Sequence, residues 1–286
     1  MSTSALQCYP GEPGAAAVLM VHGLGSTGAV FSGPSFSGLA PWLAAAGYNV
    51  YVADLRDRLS ADSVKPDITQ QRLLAEDVPQ LLDALIQNHP DQKLFVVGHG
   101  WGGVLLAAVL IRQPALLTRV AGIVQVAVRR RALQRTWQQR LQCGFLWSQL
   151  APKLGRYKGY IPLRGLGLGT ADISLKLHAE SQVWQNSSIW RDPHNGFDYA
   201  EALSKINWPP SIYLAGKNDR AWGHFEDVKA FAREFGEHDA QLVLLEKGAG
   251  SSRSYGHYDL LTHPQAATDH FPLVLSWLAR QDKPII

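Results

Sequence analysis

Six short apolar runs set the terms for this chain: Ala15 to His22, Tyr48 to Leu55, Leu94 to His99, Ala121 to Val128, Ser211 to Ala215 and Gln241 to Leu245. Most are continuous rather than alternating. A strand apolar on both faces must be covered on both, as in a parallel sheet layered between helices. Helix-like segments lie between and after the runs, at Leu39 to Ala46, Ile68 to Gln87, Val104 to Arg112, Phe225 to Phe235 and Gln265 to Arg280. This alternation predicts an α/β fold with a mostly parallel, doubly wound sheet. The 286 residues, 46% hydrophobic and 18% charged, supply length and apolar content for such a core. The same composition excludes disorder, collagen and a coiled coil.

The alternation breaks between Arg129 and Pro210, a stretch rich in Trp, Arg and Gln with no clear strand. We read residues 129–208 as a helical cap inserted into a core made of residues 1–128 and 209–286. Open α/β sheets bind ligands at the carboxyl ends of their strands, so a cap placed there would roof the pocket. Within the insert, Leu133, Trp137 and Leu141 are spaced by four, with Arg131, Arg135 and Arg140 among them. The pattern predicts a cap helix packed on the core with solvated arginines, and it also suits a basic amphipathic helix at a membrane surface. Formal net charge is +3, yet Gln92 to Ala171 contains twelve basic and no acidic residues. That asymmetry predicts a basic face drawn to an anionic surface or substrate. No recognition motif accompanies the charge, so nucleic acid is not expected.

No apolar run approaches the ~20 residues of a membrane-spanning helix. The N-terminus has no basic region followed by an apolar core, and a cytoplasmic location is the expectation. Cys8 and Cys143 lie far apart and read as free thiols, and no metal-ligand spacing or cofactor motif is visible.

The most informative segment begins at the strand Leu94-Phe95-Val96-Val97, continues through Gly98-His99-Gly100-Trp101-Gly102-Gly103 and enters a helix at Val104. In the pattern G-x-S-x-G, flanking glycines let a strand turn sharply into a helix and hold a nucleophile over the sheet. Here the central residue is Gly100, so the frame stands without a nucleophile side chain. His99 is expected to be a packing residue facing away from the pocket mouth. The first strand ends in Val21-His22-Gly23-Leu24-Gly25-Ser26, a glycine-rich turn in which His22 reads as structural. Strand Ile212 to Ala215 leads to Asp219, and the last strand is followed by Tyr255-Gly256-His257-Tyr258-Asp259. Elbow, acid and histidine thus come in the chain order of a nucleophile–Asp–His triad. Asp54 and Arg56 read as a structural ion pair.

Through His22-Gly23, the elbow from Gly98 to Gly102, Asp219 and His257, the chain resembles the α/β-hydrolase superfamily over roughly residues 15 to 280. Gly256-His257-Tyr258-Asp259-Leu260-Leu261 resembles the lipase and esterase branches. The elbow is also similar to that of epoxide hydrolases and haloalkane dehalogenases, whose central residue is Asp. The resemblance implies a triad of Gly100, Asp219 and His257 with the nucleophile missing, and an oxyanion hole from the backbone N–H groups of Leu24 and Trp101. Three functions stay open: an esterase- or lipase-like hydrolase of reduced or altered activity, a non-catalytic protein binding a small apolar or acyl-containing ligand, and an epoxide- or C–C-type hydrolase using water activated by His257. Gly100 could also be the mark of an ordinary hydrolase whose nucleophile has been replaced.

Overall fold

The computed structural model describes residues 5–34, 37–55, 58–59 and 68–282. Its strands are β1 (Ala5–Tyr9), β2 (Ala17–Val21), β3 (Asn49–Asp54), β4 (Arg58–Leu59), β5 (Leu94–His99), β6 (Val120–Val126), β7 (Asp172–Ile173), β8 (Ser211–Gly216) and β9 (Ala240–Leu245). Seven of them form one sheet in the order β1-β3-β2-β5-β6-β8-β9, and β4 pairs with β7 apart from it. Every pairing in the large sheet is parallel except that of β1 with β3.

Every residue of β2 and β5 is buried, which accounts for their unbroken apolar sequence. Ala17, Leu19 and Val21 face one layer, with the helices Val78–Asn88 and Trp101–Arg112. Val18 and Met20 face the other, with the helices Leu39–Ala45 and Phe271–Asp282. β1 has no counterpart in the sequence reading, because it is an exposed edge strand whose residues show no apolar run. The helix expected from Gln265 to Arg280 is broken, with pieces Ala266–Asp269 and Phe271–Asp282. Pro272 has no N–H to continue the first piece and is well placed in the first turn of the second.

β6 and β8 are neighbours in the sheet, and the whole insert connects them. Its first element is a helix over residues 137–158, α-helical at Trp137–Gln139, π-helical at Arg140–Leu150 and α-helical at Ala151–Lys158. Thr136 Oγ1 caps it by accepting from the N–H of Gln139, and Gly159 ends it in the left-handed conformation, φ 81°. The buried positions are Gln139, Cys143, Trp147, Ala151 and Gly155, spaced strictly by four. An α-helix turns about 100° per residue, so such a row would drift by roughly 160° along its length. The wider winding of the π-helical stretch keeps it facing inward.

The same winding corrects an expectation. Trp137, Leu141 and Phe145 form the opposite row and are 69, 45 and 49% exposed, and Leu133 is exposed as well. Leu133, Trp137 and Leu141 therefore do not pack on the core. Four of the twelve basic residues are paired or buried. Arg112 pairs with Asp192 and Arg130 with Glu234, Arg119 donates to the carbonyl of Pro90, and Arg129 is buried. Arg135, Arg140, Lys153, Arg156, Lys158 and Arg164 are exposed. Both cysteines are free thiols. Among the described residues no helix is long and apolar enough to cross a membrane.

Candidate active site

Gly100 joins β5 to the Trp101–Arg112 helix with φ 51° and ψ −126°, a left-handed backbone that L-residues adopt only under strain. The turn is tight because glycines flank it. A Cβ on Gly98 would lie 2.2 Å from the Cα of Gly103, and one on Gly102 would lie 2.3 Å from the carbonyl oxygens of Val21 and His22. Above Gly100 there is room. A Cβ there would meet His257 Nε2 at 3.4 Å, an ordinary contact.

His257 Nδ1 donates to Asp219 Oδ2 at 2.6 Å, and the N–H of Trp222 donates to Asp219 Oδ1 at 3.0 Å. Burial of Asp219 raises its pKa, but the facing imidazole and the donated hydrogen bonds outweigh it and hold the carboxyl below its ordinary value. The acid is thus ionised at neutral pH. It fixes the imidazole with Nδ1 protonated and Nε2 free to accept a proton.

Leu24 and Trp101 line the same cavity as Gly100 and His257. Trp101 is the first residue of its helix, so its N–H has no intrahelical acceptor. Trp147, Leu168 and Gln185, all from the insert, also line this cavity of about 60 Å³ and place insert residues over the carboxyl ends of β2 and β5. Counted for the centres of water-sized groups, space on that scale admits a small ligand.

His99 departs from expectation. It is buried, but it lines the cavity instead of facing away, because its ring packs 4.5 Å from that of His257 and its Nε2–H donates to the His257 carbonyl at 3.2 Å. Burial and the nearby His257 push its pKa down to about 3. His22 Nδ1–H donates to the Gly23 carbonyl at 2.9 Å, while Nε2 accepts from the N–H of Leu55 at 3.0 Å, a structural pair of bonds. Asp54 accepts from the N–H of Gly28 at 3.4 Å, and Arg56 lies outside the described residues. Arg129, Trp147, Trp222 and Tyr258 line the cavity without having been singled out in the sequence for it. The Trp-rich insert read as a roof points to Trp147 and the motif around His257 contains Tyr258, whereas nothing in the sequence points to Trp222.

Three buried histidines make acid stability a test of this packing. Burial lowers His99 to about 3 and His178 to about 4, and it lowers His270 as well. In the unfolded chain each titrates near ~6.5. Below that pH the unfolded state binds more protons than the folded one, so the stability these groups leave intact above it is lost as pH falls toward their folded values. The slope is at most about 1.4 kcal/mol per pH unit for each histidine. Urea unfolding at pH 7.5, 5.5 and 4.5 should show a falling midpoint, with part of the fall removed in His178→Gln.

The mostly parallel seven-stranded sheet, flanked by helices on both faces, is that of an α/β-hydrolase. The chain belongs to the serine aminopeptidase S33 family, which it matches over residues 12–161. Among solved structures it is similar to the monoacylglycerol lipase of Paleococcus ferrophilus, with TM-score 0.63 and 17% identity over 98% of this chain and 100% of that one. An esterase of Exiguobacterium antarcticum gives 0.62 and 15% over 98% and 100%, and a thermophilic esterase of Thermogutta terrifontis gives 0.59 and 16% over 98% and 94%. At these identities the likeness is one of fold. Among curated protein sequences none gives a match.

Proposed function

We propose that this protein hydrolyses small carboxylic esters in a single displacement, with a water molecule above Gly100 as the nucleophile. The observation that carries this reading is the placement of His257 Nε2, 3.4 Å from where a side chain on Gly100 would begin and backed by Asp219. Nε2 takes a proton from the water as its oxygen attacks the ester carbonyl. Negative charge gathers on the carbonyl oxygen, facing the N–H groups of Leu24 and Trp101. The tetrahedral intermediate collapses, the C–O bond to the alcohol breaks, and the leaving alkoxide takes the proton back from Nε2. Asp219 stabilises the imidazolium between these transfers. Esterases and a lipase among the structural neighbours support the substrate class. A non-catalytic binding protein is the second reading, favoured by the lack of any nucleophile atom on Gly100.

The test compares short-chain aryl esters on the protein and on His257→Ala, with intact mass measured during turnover. We expect kcat/KM to fall about 100-fold or more in the variant, the usual worth of a positioned base, with no acyl adduct on the protein. Equal rates in the two would leave the binding protein as the function. An acyl adduct would replace single displacement with a covalent route.

A further inference from the structure

Arg129 is the one cavity-lining residue whose charge the hydrolytic reading leaves unused. It is only 5% exposed, and its guanidinium is charged at any ordinary pH. Its hydrogen-bond partners are all neutral. Nε donates to the Trp222 carbonyl at 2.6 Å, and Nη2 donates to the Ala221 carbonyl and to Cys143 Sγ, both at 3.2 Å. Burial pushes the Cys143 thiol up despite the arginine beside it, so the sulfur supplies no negative charge. Asp219, in the loop that holds Arg129, is engaged by His257 Nδ1 and the N–H of Trp222. Among the described residues no carboxylate lies within ion-pair distance of Arg129, whereas its neighbour Arg130 has Glu234 at 2.8 Å. A buried cation with no carboxylate in direct contact is costly, and an anionic ligand group bonded to it would offset that cost.

The local backbone points the same way. Ala127, two residues before Arg129, is the only non-glycine among the described residues with positive φ, at 52°. Such strain persists only where the surroundings enforce it and is commonest at ligand sites. The bonds from Nε and Nη2 to the Ala221–Trp222 backbone fix the guanidinium, while Nη1 has no hydrogen-bond partner among the described residues.

We propose that the cavity selects an anionic ester, a half-ester of a small dicarboxylic acid, whose free carboxylate is held by Arg129 while its ester carbonyl faces the N–H groups of Leu24 and Trp101. The assignment of the ester end rests on the proposed hydrolysis. The anion site rests on Arg129 alone.

Binding of monomethyl succinate and of dimethyl succinate, measured by calorimetry with every protein carrying His257→Ala so that neither ester turns over, tests it; in these binding measurements the unmodified protein is the one with Arg129 intact. The unmodified protein should bind the half-ester about 10-fold or more tightly than the diester, as a charge-assisted hydrogen bond in a buried site would give. In Arg129→Met the ratio should drop to near one. Arg129→Lys, which keeps the charge but not the fixed fork, should retain part of it. Equal binding of the two esters by the unmodified protein overturns the proposal even if Arg129→Met fails to fold, and so does a preference that survives in folded Arg129→Met. Hydrolysis of the diester with no preference for the half-ester would sink the anion site and leave the hydrolase. Half-ester selectivity without His257-dependent turnover would do the reverse.

Discussion

Gly100→Ser should raise hydrolysis of short acyl esters steeply, with kcat/KM rising by roughly 100-fold or more over the unmodified protein. The serine Cβ fits the open space, 3.4 Å from His257 Nε2, and its hydroxyl would come within reach of the base. In triad enzymes the residues act as a unit, and the oxyanion hole and binding alone sustain only ~10³–10⁴-fold over water. On the proposed reading a serine at position 100 completes the frame, and a large gain is expected. It has a structural cost, since a non-glycine at φ 51° loses about 1–3 kcal/mol. Three measurements check the prediction: hydrolysis by the protein, Gly100→Ser and Gly100→Ser/His257→Ala, an acyl adduct in the serine variant, and a thermal melt of each. A folded serine variant with no gain, or a gain indifferent to His257, would show that Gly100 does not occupy a nucleophile position.

The second large effect is on stability. Arg130 is 2% exposed and ties the insert to the core. Nη1 donates to the carbonyls of Trp184 and Ser187 at 2.8 Å each, and Nε and Nη2 grip Glu234 at 2.8 and 3.0 Å. Arg130→Met should cost about 3–5 kcal/mol, because two carbonyls and a carboxylate lose their donors together. For a domain of this size that is a melting-point drop of roughly 6–20 °C. Arg119→Ala, which removes a more exposed bond to the Pro90 carbonyl, serves as the comparison and should change little. Adding Glu234→Gln to Arg130→Met should cost less than the sum of the single changes, since the two share one interaction.

The central strands were legible in the sequence because burial on both faces leaves an unbroken apolar run, as at Leu94 to His99. β1 was not, for an edge strand with exposed residues need satisfy no such pattern. Gly100, Leu24, Trp101, Asp219 and His257 could be named because an elbow is a local backbone motif and the acid and base follow it in a set chain order. The structure brings four of them to one cavity, with Asp219 bound behind His257. The position of Arg129 in the cavity depends on how its guanidinium is held by the Ala221–Trp222 backbone, which no spacing encodes. The orientation of Leu133, Trp137 and Leu141 is hidden for a different reason: spacing by four reads as an α-helical face, while the helix that carries Trp137 and Leu141 is partly π-wound.

That winding gives the cap its own substitution grammar. Along residues 137–158 the unit of tolerance is a tetrad, not a heptad, and inner and outer sets never exchange places. The inner set ends in the buried Ala151 and Gly155, where a Cβ on Gly155 would stand 2.6 Å from Ile161 Cδ1 and 3.3 Å from Leu175 Cγ, so added bulk there requires those side chains to shift. The outer set, from Trp137 through Leu141, Phe145, Gln149 and Lys153 to Tyr157, is free of that constraint and can diverge in size and polarity without disturbing the roof over His257. Homologous caps that share this winding should therefore keep a buried row in step by fours on one side, small at its end, while their outer row varies.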